Sequence, residues 1–293
     1  MAAPERPNDE IIGHFTLTVP SNPLESDYVG SRSALFVPTE ELSGVGFFPS
    51  EINDVVVITK DVAGLLDTIS EKRQFGWRGK PTELDGGLES DYDRQQMIVY
   101  SFVTSGDSVL IYERPRSSDS RLAGKASMGF GGHTETSDRT DIAQFGAEPS
   151  DDREFTSHGV EDGSLSKGIN REIEEELGIQ PHQADLKIIG AFREVHPQES
   201  LQDRTKLPVG TVHTCIIAIA DLSPDVAEIT LQDDEVGYAK WIKIKDIKPT
   251  LQLIELSDIV VEDWTKIGTS EFADILDELG KREPQKLPEI RIN

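Results

Sequence analysis

The stretch Arg171-Glu172-Ile173-Glu174-Glu175-Glu176-Leu177-Gly178-Ile179 decides the fold. Successive residues of an α-helix turn by about 100°, so Glu172, Glu175 and Glu176 lie on one side within roughly 100° of arc. Three carboxylates this close repel one another unless a cation lies among them. Gly178 follows the last apolar residue, where a left-handed residue commonly ends a helix. The pattern predicts a helix whose acidic side holds a cation, rather than an ordinary solvated acidic helix.

These residues resemble the signature of the Nudix hydrolases, Arg-Glu-aliphatic-x-Glu-Glu-x-Gly-aliphatic, and every fixed position is filled. The front half of the family's motif usually places a Gly fourteen residues before the Arg and a Glu eight before it. Here those positions hold Ser157 and Gly163. A better start is Gly129-Phe130-Gly131-Gly132-His133, and 39 positions (171 − 132) separate Gly132 from Arg171. About 25 residues (39 − 14) are therefore inserted between the two halves.

The insert, residues 134–163, is acidic and rich in Gly, Ser and Thr, with almost no apolar periodicity. This composition predicts a surface loop, and loops of this length are usually either functional lids or disordered segments. Both interpretations stay open. In the Nudix pattern the Arg pairs with a carboxylate in the preceding loop, and only Glu161 or Asp162 lies near the expected place.

A wider resemblance, to a Nudix subgroup described as predicted phosphoesterases, covers roughly residues 89–245. It is carried by the lead-in from Glu89 to Tyr100 and by Tyr112-Glu113-Arg114. The resemblance implies an α+β fold, the Nudix α/β/α sandwich with a mixed β-sheet. We expect this domain at 91–293, preceded by an N-terminal extension or subdomain at 1–90 whose role is unknown.

The apolar pattern predicts the secondary structure. Alternating or continuous apolar runs predict strands at Phe15–Val19, Ser33–Val37, Asp54–Ile58, Met97–Val103, Val109–Glu113, Ser127–Gly132, Leu186–Phe192, Val212–Ala220 and Ala239–Ile244. Apolar residues at helical spacing predict helices at Asp61–Ser70, Leu165–Leu177, Asp246–Ile254 and Glu271–Leu279. Residues 78–93 are rich in Gly, Pro and acidic residues and predict a linker or long loop.

The resemblance also implies a cofactor, Mg²⁺, with Mn²⁺ as an alternative. Mg²⁺ is typically held by one or two carboxylates together with substrate phosphates and water. The family's metal ligands correspond here to Glu172, Glu175, Glu176 and the Gly131 carbonyl. A distal Glu235, six residues before Trp241, is a fifth candidate, or else part of a solvated acidic turn.

Catalytic roles are expected for Glu172 or Glu175 as general base. Arg171 is a further catalytic candidate, although a purely structural ion pair is the simpler role for it.

Substrate contacts are expected from positive side chains and from the glycine pair. Arg114, Arg121 and Lys125 supply positive charge beside the site in an otherwise acidic chain, which suits phosphate binding. Surface pairing with the acidic insert is an equally good interpretation for each of them. Gly132 and His133 complete the set of candidates, with a strand bulge and an ordinary loop histidine as the alternatives.

Composition narrows the class of partner. The net charge of −25 argues against a nucleic-acid polymer or an anionic membrane, because both would be repelled at long range. Solubility, or adaptation to a salty cytosol, accounts equally well for the acidic surface. The single Cys215 excludes an intramolecular disulfide and suits a reducing interior. The first residues lack the apolar core of a signal peptide, so we expect a cytoplasmic protein.

These observations favour a Mg²⁺-dependent hydrolase that cleaves the diphosphate bond of a nucleoside-diphosphate-linked small molecule. One alternative is a nucleotide-binding sensor or regulatory module that has the Nudix fold without turnover. Another is isomerase chemistry on an isoprenoid diphosphate, which needs a cysteine near the site, whereas Cys215 lies in a predicted strand. Because Nudix proteins frequently dimerise, a homodimer is a further expectation.

Overall fold

A computed structural model describes most of the chain from Ser33 onward. The described residues are 33–51, 55–77, 88, 93–114, 124–138, 154–156, 164–195, 209–231 and 236–292. The predicted strand Phe15–Val19 lies outside them, as do most of the acidic insert and the candidate residues Arg121 and Glu235.

The strands of the described part are numbered in chain order. They are β1 (Ser33–Pro38), β2 (Phe48–Pro49), β3 (Val56–Thr59), β4 (Gln74–Trp77), β5 (Arg94–Ser105), β6 (Ser108–Glu113), β7 (Ala126–Ser127), β8 (Gly129–Phe130), β9 (Glu154–Thr156), β10 (Ala184–Glu194), β11 (His213–Leu222), β12 (Glu228–Leu231), β13 (Tyr238–Lys243) and β14 (Glu289–Ile292). The α-helices are α1 (Val62–Lys72), α2 (Ser164–Leu177), α3 (Ile247–Leu256), α4 (Asp263–Glu271) and α5 (Ala273–Leu279).

One mixed sheet forms the middle layer. Within the described residues it has twelve strands, eight of them in the order β2-β3-β10-β11-β5-β1-β4-β9. The pairing of β11 with β5 is parallel, with Cys215 beside Ile98, whereas the other pairs of this sheet are antiparallel. β5 also pairs with β6 and β8, and β12 pairs with β14 in a separate two-stranded sheet. The glycine-containing segment that carries β8 therefore lies next to the central strand.

Helices cover both faces of the sheet. Because side chains alternate along a strand, β5 sends Met97 and Val99 to one face and Tyr100 and Phe102 to the other. The first face packs against α1 and α2, through residues such as Ile173. The second packs against α3, α4 and α5. This is the α/β/α sandwich with a mixed sheet that the sequence predicted.

Residues N-terminal to the expected boundary near residue 90 join the same sheet. β1 pairs with β5, and β3 pairs with β10. The described residues between 33 and 77 therefore extend the main sheet, which was one of the two expectations for this region. The domain boundary at residue 90 remains a prediction. The acidic insert also contributes one strand, because β9 pairs with β4 at the sheet edge.

Most predicted elements are found within a few residues of their expected limits. The predicted helix Asp246–Ile254 is α3, and Pro249 is tolerated because it lies in the first turn, where backbone N–H groups have no partner inside the helix. The predicted strand Ser127–Gly132 is broken into β7 and β8. Among the described residues, no helix is both long and apolar enough to cross a bilayer.

Candidate active site

Helix α2 presents its carboxylates beside an apolar stripe. Leu165, Ile169, Ile173 and Leu177 recur at four-residue spacing and are buried against the sheet. Glu172 and Glu176 each precede a residue of this stripe and are buried, whereas the Glu175 side chain is 59% exposed. 

Gly178 ends the helix with a positive φ of 67°, and its N–H donates to the Glu174 carbonyl at 2.9 Å, as the sequence predicted for a left-handed cap.

Arg171 is the centre of an ion-pair network. Its guanidinium lies 3.0 Å from Asp138 Oδ1, 2.9 Å from Glu172 Oε1 and 2.9 Å from Glu175 Oε2. It also donates to the His133 carbonyl at 2.8 Å. The guanidinium therefore ties α2 to the segment that follows Gly132, which supports the structural role considered for this residue.

Asp138 was missed in the sequence. Counting back from Arg171 gave Glu161 and Asp162 as the candidates, and these residues lie outside the described part of the chain. The usual motif places its Glu six positions after its Gly (14 − 8), and six positions after Gly132 is Asp138. Counting forward across the insertion point would have identified it, with the shorter acid in place of Glu. Asp138 also accepts the Glu135 N–H at 2.8 Å, which fixes the local turn.

A glycine turn, residues 129–132, faces the carboxylates. Gly131 N–H donates to Glu176 Oε2 at 2.8 Å, and Val99 N–H donates to the Gly132 carbonyl at 2.9 Å. The Gly131 N–H therefore points toward α2, and the family resemblance makes the carbonyl of this glycine a candidate metal ligand.

Three glycines allow this close approach. Gly131 has φ +136°, and a Cβ there would lie 2.5 Å from the Val99 carbonyl oxygen. A Cβ at Gly132 would lie 2.7 Å from Glu172 Oε1. A Cβ at Gly168 would lie 2.9 Å from Thr134 Oγ1, so this helical glycine lets α2 pack against the segment that leads to Asp138.

Burial shapes the acid–base behaviour of Glu172. Desolvation raises the pKa of this carboxyl to about 8, opposed by the charge of Arg171 and reinforced by that of Glu175. Because ionisation of this carboxyl is unfavourable, a cation bound beside it would stabilise the ionised form. It is also matched to proton transfer near neutral pH.

The donor set fits Mg²⁺ in its chemistry. Among the described residues, no group of three or more His, Cys, Asp and Glu side chains is gathered closely enough to hold a metal by itself. In this arrangement Arg171 binds Glu172 and Glu175, and Glu176 accepts from Gly131. Mg²⁺ does not need three carboxylates, because it is held by one or two together with waters and substrate phosphates. Glu172, Glu176 and the Gly131 carbonyl supply oxygen donors of that kind on two facing segments.

The expected substrate-binding residues lie in different surroundings. Arg114 is next to the site, with its guanidinium carbon 5.4 Å from the centre of the Tyr112 ring and a buried Nε that has no hydrogen-bond partner among the described residues. Burial disfavours its charge, but Tyr112, Glu262 and Glu176 more than offset this and hold its pKa above the usual value. Lys125 is linked to it through the backbone, because its carbonyl accepts the Arg114 N–H at 3.0 Å.

The His133 ring is buried at an angle of 72° to the His213 ring, with centroids 5.5 Å apart. Because neighbouring residues point to opposite faces, this ring lies across the sheet from Gly132 and Glu172. In this structure His133 contributes its carbonyl, rather than its ring, to the Arg171 network.

Cys215 is fully buried in β11, on the face that packs against α3, α4 and α5. The carboxylates of α2 lie across the other face. The cysteine required for isomerase chemistry is therefore separated from them by the sheet.

Comparisons with known proteins bear on the fold of this chain. No family model matches the chain. Protein YmaB of Bacillus subtilis (strain 168) is 29% identical over 164 residues, which span 56% of this chain and 66% of that protein, just under two thirds of its length. The crystal structure of Tm1382, a proposed Nudix hydrolase, covers 83% of this chain and 99% of its own, with a TM-score of 0.50 and 18% identity.

A NUDIX hydrolase from Alicyclobacillus acidocaldarius covers 63% of this chain and 91% of its own at 16% identity, but its TM-score of 0.36 is too low to add to the assignment. The match to Tm1382 therefore covers most of this chain and nearly all of that protein. The chain therefore has the fold of the Nudix superfamily, as the signature in α2 predicted.

Proposed function

We propose that this chain is a Mg²⁺-dependent hydrolase that cleaves the diphosphate bond of a nucleoside-diphosphate-linked small molecule. One observation carries the proposal: buried Glu172 and Glu176 lie beside the Gly131 peptide. Glu176 accepts a hydrogen bond from the Gly131 N–H at 2.8 Å. Glu172 is already paired with Arg171 at 2.9 Å, and a divalent cation bound by the two buried carboxylates would neutralise them further. The fold and the filled signature add the expectation of hydrolysis, by resemblance.

The site residues have three proposed roles, which are binding, positioning of other side chains, and proton transfer. Glu172, Glu176 and the Gly131 carbonyl would hold the metal, with Mn²⁺ as an alternative and Glu235 as a further candidate. Bound there, a metal would supply the positive charge that neutralises diphosphate oxygens and acidifies an attacking water. Glu172 is the first candidate to accept the proton of that water at a carboxylate oxygen. The exposed Glu175 is the second candidate for this role.

Substrate binding is proposed for Arg114, which lies within the field of Glu176 and whose guanidinium could pair with a phosphate oxygen. Lys125 and Gly132 are further proposed contacts, as are His133, through its backbone, and Arg121, which lies outside the described residues. Arg171 keeps Glu172 and Glu175 in place as a positioning residue.

The net charge of −25 would repel a nucleic-acid polymer or an anionic membrane surface. It is compatible with a small anionic substrate whose charge is partly neutralised by the metal it carries. A cytoplasmic location and a homodimer belong to the same proposal.

Product release from a panel of nucleoside-diphosphate and dinucleotide compounds with Mg²⁺ tests the proposal. The variant Glu175→Gln/Glu176→Gln should lose activity by a factor of roughly a hundred or more, as expected for groups that bind metal or move protons. Glu174→Gln is the matched control, because this glutamate lies on the same helix but bonds Gln180 at its exposed surface.

Intact turnover in the Glu175→Gln/Glu176→Gln variant would contradict the hydrolase mechanism. No product from any compound, together with a ligand that raises the melting temperature, would favour the sensor without turnover.

A further inference from the structure

We propose that Glu262, immediately before α4, is a positioning residue that holds the glycine turn against α2 and so sets the affinity of the metal site. The inference rests on the proposed function, because it assumes that the metal binds between the turn and the carboxylates of α2.

Glu262 is a buried carboxylate on the opposite side of the glycine turn from Glu176. Ser127 Oγ donates to Glu262 Oε2 at 2.5 Å, and Tyr100 Oη donates to the same oxygen at 3.0 Å. A buried carboxylate is costly unless it is hydrogen-bonded. These two hydroxyls supply the bonds, so the three side chains hold one another in fixed positions.

Backbone contacts align the residues around Glu262 with β7. Glu262 N–H donates to the Ala126 carbonyl at 2.9 Å, and Ala126 N–H donates to the Val260 carbonyl at 2.9 Å. Met128 N–H donates to Thr265 Oγ1 at 3.1 Å, and that hydroxyl lies 2.6 Å from Tyr100 Oη. The segment that enters the glycine turn is therefore fixed along its length by the residues that begin α4.

The same bonds continue into the turn. Gly129 N–H donates to Ser127 Oγ at 3.3 Å, and the Gly129 carbonyl accepts Tyr112 Oη at 2.7 Å. Two residues later, Gly131 N–H reaches Glu176. Ser127 and the turn thus form one connection between Glu262 and Glu176, a proposed metal ligand.

The fit around Tyr100 makes this connection stiff. A Cβ at Gly129 would lie 2.1 Å from the Tyr100 ring, so the ring lies directly against the turn. The hydroxyl of that ring is held by both Glu262 and Thr265. Removing the carboxylate takes one hydrogen-bond partner from Tyr100 and one from Ser127, which loosens the support of the Gly131 peptide opposite α2.

Groups that orient metal ligands from behind typically change metal affinity by 10- to 100-fold when they are replaced. Because Glu262 acts on Gly131 through Ser127 and two peptide units, we expect the lower end of that range. Glu262→Ala should weaken Mn²⁺ binding by about tenfold. Glu262→Gln keeps one acceptor oxygen for the two hydroxyls and should lie closer to the parent chain.

The test measures Mn²⁺ binding to the full chain without substrate, with electron paramagnetic resonance detecting the free Mn²⁺. Melting temperatures are measured in parallel. Glu176→Gln reports whether Mn²⁺ binds at the proposed site. Thr104→Ala is the control for stability, because Thr104 lies on the same strand as Tyr100 and is fully buried with its hydroxyl bonded to Asp221, two residues beyond the part of β5 that pairs with β8.

A weaker Mn²⁺ affinity in Glu262→Ala, partly restored in Glu262→Gln and absent from Thr104→Ala at a similar loss of melting temperature, supports the positioning role. Unchanged Mn²⁺ affinity in Glu262→Ala, in a parent chain whose Mn²⁺ binding depends on Glu176, overturns the positioning role and leaves the proposed function intact. A parent chain that binds no Mn²⁺, or binds it independently of Glu176, overturns the metal site and this inference with it.

Discussion

Replacing Asp138 by Ala should destabilise the protein far more than breaking an exposed ion pair of the same length. The Asp138 side chain is 3% exposed and that of Arg171 is 23% exposed, with a separation of 3.0 Å. The ion pair between Lys60 and Asp274 has the same separation, but its side chains are 39% and 68% exposed. The comparison therefore varies burial at constant distance.

The magnitude follows from the bonds that are lost. Removing one partner of a buried pair costs about 3–5 kcal/mol when the other charge is left uncompensated. Arg171 keeps Glu172, Glu175 and the His133 carbonyl, so the lower end, about 3 kcal/mol, is expected for Asp138→Ala. For Asp274→Ala the expected loss is about 0–1 kcal/mol, because solvent screens an exposed pair.

Urea denaturation followed by tryptophan fluorescence measures both losses. A loss of about 3 kcal/mol corresponds to a melting temperature lower by roughly 6–12 °C in a domain of this size. A double-mutant cycle of Asp138→Ala with Arg171→Met isolates the pair and should give a coupling energy of about 1–3 kcal/mol. Equal losses for Asp138→Ala and Asp274→Ala, or no coupling in the cycle, would refute the argument that burial makes this pair strong.

Three other measurements concern Glu172 and the glycine turn. Burial raises the pKa of Glu172 to about 8 from 4.5, so between these pH values the folded protein holds a proton that the unfolded chain has released. Stability without divalent metal should therefore fall as pH rises from about 4.5 to about 8, and Glu172→Gln should flatten that fall in urea titrations. Gly129→Ala should lower stability by about 3 kcal/mol, because its Cβ would overlap the Tyr100 ring, whereas Gly44→Ala, with nothing within 4 Å, should change thermal stability little. Gly132→Ala should displace the Glu172 carboxylate, which a Cβ would approach to 2.7 Å, and weaken Mn²⁺ binding in calorimetry with a smaller change in melting temperature than Gly129→Ala.

The parts of the fold that could be predicted are those whose signals are local. Apolar residues at four-residue spacing, together with Gly178, fixed α2 to within one residue of its observed start at Ser164. Strands such as β5 and β11 contain apolar runs, at residues 97–100 and 215–220. The short strands β9 and β14 were not predicted, because three or four residues carry too little periodicity and their pairing partners, β4 and β12, are distant in sequence.

The site was predictable only where the family motif is contiguous. Glu172, Glu175 and Glu176 lie within five residues of one another, so their common side follows from helix geometry. Glu262 carries no comparable signal, because its partner Ser127 is 135 positions away in an acidic chain. Helix α4 was not predicted. The predicted helix began at Glu271, but the helical conformation is interrupted at Phe272 (φ −112°, ψ 22°), so Glu271 is the last residue of α4.

The Asp138–Arg171 pair also explains how the Nudix arrangement tolerates the acidic insert. Lengthening the connection from 14 to 39 positions (171 − 132) adds about 0.9 kcal/mol of loop-closure entropy, because this cost grows only as the logarithm of length. The pair joins Asp138, near the start of the insert, to Arg171 in the helix that follows the insert, and breaking it is expected to cost about 3 kcal/mol, more than the added loop-closure entropy. The insert can therefore vary in length without moving Gly131 or Glu172, provided that both of its ends remain held. By this reasoning, shortening the insert after residue 138 should leave the metal site in place, whereas losing Asp138 should disturb it at any insert length.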